Sequence, residues 1–350
     1  MSIFRNDDVM NFAMGMTLLS VDPPIIFTST TNLIEIPSVE KSTIEVLCEV
    51  FADSPIPPYF LISPSWHFPE IIRDNPAGIA MLRSAQRRAG KQTVIILGNE
   101  PEDEALASNL EFGFANVHQN AMVDESTFQP IESYPKDFDA IYNAKFYSFK
   151  QHRLALRIRR LCLLYAMADL SGGDIYSELR QSLPESAFLN GDPRNPEMFV
   201  RFGREDVNAQ INRAKVGLAL SPVEGAMYAS AEYLFAGLPV VSIPNRGGRD
   251  AFAHPDHWIT AQPYPDDIAS AVDELIARQL PPHEIRRAAL ERAAIYRNNL
   301  VVLINRLREE ALVASDWSTD WGWIRRYHGG FDYQTMRNIR AYYERAESQA

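Results

Sequence analysis

The stretch Val216–Arg249, VGLALSPVEGAMYASAEYLFAGLPVVSIPNRGGR, sets out residue types whose order suits binding of an anionic polyol. An apolar run, VGLAL, leads into the short loop SPVEG. A small-residue helical stretch follows, then Gly237, Pro239 and a second apolar run, VVSI. In a parallel sheet, ligands collect where the carboxyl end of a strand gives way to the next helix. The first turn of that helix leaves backbone N–H groups unpaired, and its dipole favours negative charge. Gly225 and Ala226 strip side-chain bulk from the turn, so a phosphate or sugar can approach the main chain. Glu224 stands at the mouth of the turn. Glu232 lies a little over two helical turns further on, along the same broad side. Carboxylates accept strongly from vicinal hydroxyls such as those of a ribose or a hexose. The plain alternative is a helix-capping Glu224 and a solvated Glu232.

The elements that must position these groups alternate between strand and helix. In the first half, Pro24–Thr28, Tyr59–Ser63, Thr93–Leu97 and Ala115–Val117 read as short buried strands. Between them, Ala77–Ala89 reads as an amphipathic helix stopped by Gly90, and Glu104–Phe112 as a helix stopped by Gly113. The proline-rich, charged segment Gln129–Asp139 marks a domain boundary. A second series follows: a strand at Ala140–Ala144, a long helix over Gln151–Ala168, a strand near Ala187–Leu189 and a helix over Glu205–Arg213. After the Val216–Ile243 unit come the helices Ile268–Arg278 and Ile285–Ala311. The expected organisation is an α/β domain over residues 1–135, a second over 136–315, and an aromatic-rich helical tail over 316–350. Trp317, Trp321, Trp323, Tyr327, Tyr333, Tyr342 and Tyr343 lie in that tail. Strand–helix alternation of this kind builds parallel sheets.

Bulk properties narrow the classes. The 350 residues are 46% hydrophobic and 23% charged, ordinary soluble usage with enough apolar material for two cores. A formal net charge of −11 argues against nucleic acid or an anionic membrane as partner. Cys48 and Cys162, both in apolar runs, read as buried free thiols in a reducing compartment. No Cys/His cluster has zinc-ligand spacing. The opening MSIFRNDDVM is acidic where a signal peptide is basic, and no run approaches the length of a membrane span. A cytoplasmic location is expected.

Ser221, Glu224, Gly225, Glu232, Gly237, Pro239, Val240, Val241, Gly247 and Gly248 keep order and spacing with a known pattern. The stretch resembles the Glu-x7-Glu motif of retaining glycosyltransferases with the GT-B fold, the family 4 type, over roughly residues 136–315. The resemblance implies two Rossmann-like domains facing across a cleft, with a C-terminal helix that crosses back to the first. It implies a nucleoside-diphosphate sugar as donor and a hydroxyl acceptor on a glycan, a lipid-linked sugar or a polypeptide. It further implies retained anomeric configuration and no cofactor or divalent metal. Carried over residue by residue, Glu224 contacts donor sugar hydroxyls, and the amides of Gly225, Ala226, Met227 and Tyr228 meet sugar or phosphate oxygens. Glu232 binds the nucleotide ribose, and Gly247 with Gly248 forms a tight turn lining the same pocket.

Members of that family also carry a basic pair after the first strand of the donor domain. Lys145 and Lys150 have the separation and the place, with Lys where the family usually has Arg. Two cations there would stabilise charge building on a departing diphosphate. His152 follows closely and is a further candidate for phosphate contact. The first half lacks the family's Gly-Gly loop, reading MGMTLLSVDPP, and is short for the family. A polar run, Asn116 to Glu125, is a candidate replacement: His118 to touch the sugar or the acceptor hydroxyl, Asn120 and Asp124 to orient it. The plain alternative is a polar turn bonding its own backbone. His67, in the loop SWHFP, is a weaker candidate, and His254, His257, His283 and His328 read as structural or surface. Asp137-Phe138-Asp139 looks like a metal-binding Asp-x-Asp, but it precedes a strand instead of following one and is set aside. Two rivals use the same scaffold: a nucleotide-sugar epimerase and a non-catalytic GT-B-like binding subunit.

Overall fold

The computed structural model describes residues 16–21, 23–33, 35–36, 41–45, 58–91, 93–165, 170–182, 187–192, 195–200, 202–311 and 320–322. Of the tail aromatics, Trp321 alone falls inside this set, and Cys48 and His328 lie outside it. The chain forms two compact units, Met1–Met122 with Ile295–Ala350, and Val123–Ala294.

The first unit is built on a five-stranded sheet in the sequential order β1 (Met16–Val21), β2 (Pro24–Ser29), β3 (Tyr59–Ser63), β4 (Val94–Leu97), β5 (Gly113–Ala115). β1 runs antiparallel to β2, and the remaining pairs are parallel. Helices α1 (Phe68–Asp74), α2 (Pro76–Ala89) and α3 (Glu102–Asn109) connect the strands. β3 and β4 are apolar and buried along their whole length, the pattern of strands covered on both faces. Ile26, Phe60, Ile62, Ile79, Leu82, Ile96 and Phe112 form the core. α2 starts where Asn75 accepts from the amide of Gly78 at 3.1 Å with Pro76 at the first helical position, and ends at Gly90 with φ 66°.

The second unit carries a six-stranded, wholly parallel sheet. Its strands and helices are β6 (Phe138–Asn143), β7 (Leu161–Leu164), α4 (Leu170–Ser182), β8 (Phe188–Leu189), α5 (Arg204–Asn212), β9 (Ala214–Ala219), α6 (Tyr228–Phe235), β10 (Val240–Ser242), β11 (Trp258–Thr260) and α7 (Pro265–Arg278). The spatial order is β8-β7-β6-β9-β10-β11. Strand order therefore reverses between β6 and β9, which makes the loops leaving those two strands the walls of a switch-point crevice.

α8 (Pro282–Glu310) starts in the second unit and, from Ile295, belongs to the first. There Arg297 donates to the carbonyl of Ala121 at 2.7 Å and Asn299 to that of Asn116 at 2.8 Å, so the helix does return to the first unit.

The helix expected over Gln151–Ala168 is corrected. Gln151 has φ 48°, the flanking segments Ser148–Lys150 and His152–Ala155 are 3-10 turns, and Leu161–Leu164 is a strand. The run LCLLY is too short for its period to separate helix from strand, and pairing with β6 (Ala140 with Leu161, Tyr142 with Leu163) decides. Asp137 and Asp139 have structural work: Asp137 pairs with Arg213 at 2.7 Å, and Asp139 with Arg160 at 2.5 Å and Lys215 at 3.3 Å. Among the described residues no helix is long and apolar enough to cross a membrane.

Candidate functional site

Both walls of the crevice carry charge. After β6 the chain reaches Lys145, exposed, and then the 3-10 turn that ends in Lys150. After β9 the loop Leu220–Met227 brings Glu224 to the same place. Lys150 Nζ lies 2.5 Å from Glu224 Oε1, and the two side chains are 13% and 10% exposed. A nearly buried ion pair thus bridges the two loops at the switch point. Burial pulls the Lys150 ammonium below the ordinary lysine range, while the Glu224 charge opposes that fall and Arg249 and Lys145 add to it.

Backbone contacts lock the Glu224 loop. The Glu224 amide donates to the Arg246 carbonyl at 3.1 Å, and the Arg246 amide to the Pro222 carbonyl at 3.0 Å. Gly247, with φ 113°, is required there: a Cβ would stand 1.9 Å from the carbonyl oxygen of Glu224. Gly248, with φ 88°, then turns the chain into the 3-10 helix Arg249–Phe252. The Gly-Gly turn expected beside Glu224 is therefore in van der Waals contact with it. Gly225 to Tyr228 lead into α6: Ala226 and Met227 are buried, Met227 has φ 54°, and Tyr228 is 43% exposed.

Arg249 was not singled out by the sequence. It is 1% exposed, and its guanidinium donates to the Ser221 carbonyl at 2.7 Å, the Ser242 hydroxyl at 3.1 Å and the Ile243 carbonyl at 3.3 Å. One side chain thus ties the loop leaving β9 to the loop leaving β10. Burial lowers its pKa, with Glu224, Asp250 and Tyr142 acting in the opposite direction. The sole signal in the sequence is a cation directly after the Gly-Gly turn.

Glu232, on α6, accepts from the Asn143 side chain at 3.3 Å, at the carboxyl end of β6. Burial pushes its carboxyl up to about 7, against the Asn143 hydrogen bond. The neighbouring Tyr233 hydroxyl accepts from the Asn143 amide at 2.7 Å, and a Cβ on Gly217 would stand 2.2 Å from the Tyr233 ring, so Gly217 lets α6 sit close on β9. Tyr142, fully buried, donates its hydroxyl to the Lys150 carbonyl at 2.6 Å and holds the lysine turn against β6.

His152 does not join the cations. It is 4% exposed, its Nε2 lies 3.3 Å from the Ala144 carbonyl oxygen, and its ring sits 4.9 Å from those of Tyr142 and Phe146. Burial drives its pKa down to about 4, so the ring is neutral and packs the lysine loop. The polar run of the first half is also accounted for locally. His118 and Asn120 are wholly buried; the Asn120 amide donates to His118 Nδ1 at 3.1 Å, and the His118 ring lies 5.4 Å from that of Tyr296 on α8. Asp124 accepts from the Ser126 amide at 2.9 Å and the Thr127 hydroxyl at 3.1 Å, an Asx turn. Each of these three thus has partners within or beside its own segment. His67, 8% exposed, lies 3.7 Å from both Glu70 and Glu100. No cluster of three or more His, Cys, Asp or Glu with metal-holding geometry occurs among the described residues.

No family model and no curated protein matches the sequence. Solved structures do match the fold. Anabaena HepE in complex with UDP is 14% identical, with 79% of this chain and 84% of that chain covered and a TM-score of 0.50. Sucrose-phosphate synthase from Thermosynechococcus elongatus is 13% identical over 83% and 74%, with a TM-score of 0.54. The α,α-trehalose 6-phosphate synthase from Burkholderia multivorans is 11% identical over 85% and 74%, with a TM-score of 0.50. With one wholly parallel and one mainly parallel α/β sheet and a returning C-terminal helix, the chain has the GT-B fold.

Proposed function

We propose that the protein is a glycosyltransferase that takes a sugar from a nucleoside diphosphate and passes it to a hydroxyl acceptor, with retained anomeric configuration and without a metal. The observation that carries the reading is the Lys150–Glu224 pair at the strand-order switch of the second unit. A donor brings what each partner lacks: its diphosphate offers Lys150 and Lys145 a stronger anion, and its sugar hydroxyls offer Glu224 donors to accept from. Charge building on the departing diphosphate is met by those lysines and by the amides of Gly225–Tyr228, in a place where water is largely excluded. In this reading Glu232, which accepts from the Asn143 side chain at 3.3 Å, also accepts from a ribose diol. HepE, which shares the fold, was solved with UDP, so uridine nucleotides are the first donors to try.

The test is a thermal-shift panel of nucleoside diphosphates and their sugars, followed by donor hydrolysis and transfer with Glu224→Gln. A ligand bound only by the folded state raises the melting temperature by mass action. The reading requires at least one nucleotide sugar to raise it and Glu224→Gln to abolish turnover. A protein unshifted by every nucleotide sugar, or turning over undiminished in Glu224→Gln, would refute it.

A further inference from the structure

We infer that the first unit carries a binding site for an uncharged, polyhydroxylated carbohydrate, in the pocket beyond the carboxyl ends of β2 and β3. If the transferase reading holds, that carbohydrate is the acceptor, and the site excludes phosphorylated acceptors.

The pocket has a volume of about 590 Å³, within the range of small-ligand sites. It lies where Thr30 and Thr31 leave β2 and where Ser65 and Trp66 leave the adjacent β3. The Thr30 and Ser65 hydroxyls are 2.8 Å apart, and the Ser65 amide donates to Thr30 Oγ1 at 2.9 Å, so the two exits are joined. The pocket's apolar wall includes Leu33, Ile71 and Met81. Gly78 on α2 allows this closeness, since a Cβ there would stand 2.9 Å from that of Leu33.

Three features select the ligand. Trp66 is half-buried at the wall, and its indole N–H donates to Glu70 at 2.5 Å, which fixes the ring. An immobilised indole offers an electron-rich face to the C–H face of a sugar ring. Hydroxyls and an amide (Thr30, Thr31, Ser65, Asn75) supply small hydrogen-bonding groups around it. The charged groups of the lining are all carboxylates, Glu45, Glu70 and Asp74, with no Lys, Arg or His among the described lining residues. Among the described side chains, the basic groups beside this lining include His67, 3.7 Å from Glu70, and Arg73, paired with Asp74 at 2.7 Å on the exposed side. Such a lining accepts from hydroxyls and repels a phosphate, a built-in discrimination against anionic sugars. Glu45 is held by a reciprocal pair of bonds with Ser42, 2.8 and 3.2 Å, and so stays in place as part of that field.

The test is saturation-transfer NMR titration of the full chain without nucleotide, using methyl glycosides of glucose, galactose, mannose and N-acetylglucosamine, and the 6-phosphates of glucose and mannose. At least one methyl glycoside should saturate. Trp66→Ala should weaken it about tenfold or more, the usual loss on truncating a central aromatic contact. A 6-phosphate should bind about tenfold or more weaker than its parent, and Glu70→Gln, which keeps an acceptor for the indole, should narrow that gap. The proposal is overturned if no glycoside saturates, if Trp66→Ala leaves binding unchanged, or if 6-phosphates bind as well as their parents. Circular-dichroism melts verify folding of each variant, and Glu70→Gln carries the test alone if Trp66→Ala does not melt cooperatively. UDP shifts on the same samples report on the second unit, so failure there is distinct from failure here.

Discussion

Removing Glu224 should cost more stability than removing its ion-pair partner. Breaking a buried pair by deleting one member typically costs about 3–5 kcal/mol, because the other charge is left without compensation. The two losses differ here. Glu224 faces Lys150 at 2.5 Å and also acts on the buried Arg249, whereas Lys150 has Arg249 and Lys145 as like-charged neighbours. Glu224→Gln leaves cations facing one another, and roughly 3 kcal/mol of destabilisation is expected. Lys150→Met leaves Glu224 with Arg249 and adds apolar contact, so roughly 1–2 kcal/mol is expected. The double variant should fall short of the sum by about 1 kcal/mol or more, the signature of a direct contact. Urea unfolding at neutral pH measures all three. High salt should change the cycle little, since nearly buried charges are poorly screened. UDP should also raise the melting temperature of Glu224→Gln more than that of the parent, because the diphosphate replaces the missing anion. Single variants indistinguishable from the parent with an additive cycle would show that the pair does not form in solution, and the site reasoning would fail with it.

Gly247→Ala should destabilise by about 3 kcal/mol or more and abolish nucleotide-induced shifts, since both φ 113° and the Glu224 carbonyl forbid a Cβ; a melt unchanged from the parent would contradict this. Arg249→Lys keeps the charge but cannot span the Ser221, Ser242 and Ile243 acceptors, so about 2 kcal/mol of stability should be lost in urea unfolding. Glu232, held up to about 7, should gain capacity to accept ribose hydroxyls as it ionises. UDP affinity should then rise with pH through 7 relative to Glu232→Gln, as measured by calorimetry; parallel pH profiles would remove Glu232 from the ribose role. His152 and His257, each lowered to about 4, are neutral in the fold while the unfolded chain takes up protons from about pH 6.5 downward. The histidine contribution to stability should therefore be full above pH 6.5 and be lost toward pH 4, by roughly 3 kcal/mol for His152. Glu232, raised to about 7, acts in the opposite direction as pH falls below 7, so the difference between the parent and His152→Gln isolates the histidine. Urea midpoints across that range test it.

Local pattern settled the elements whose signals are local. Gly90 bounds its helix because the chain turns left-handed there, whereas α3 ends at Asn109 and the chain turns at Glu111 (φ 66°), so that Gly113 opens β5 instead of stopping the helix. The run from β9 through α6 to β10 keeps strand, turn and helix signals in one short stretch. Glu224, Glu232 and the Gly-Gly turn were legible for the same reason. The segment after Lys150 was not: its apolar residues fit a helical period as well as a buried strand, and only a vacant edge beside β6 makes Leu161–Leu164 a strand. The burial of His118 and Asn120 was not legible either, because composition reports residue type and not burial.

By itself, the sequence determined two α/β layers, the residues of the Glu224 turn and the presence of a basic pair after the first strand of the second layer. Tertiary structure alone decided that Lys150 would meet Glu224, that Arg249 would be buried under both loops, and that His152 would be neutral. The physical reason is that strand order, which brings β6 beside β9, is fixed by nonlocal packing of whole faces, while periodicity and turn chemistry act over only a few neighbouring residues.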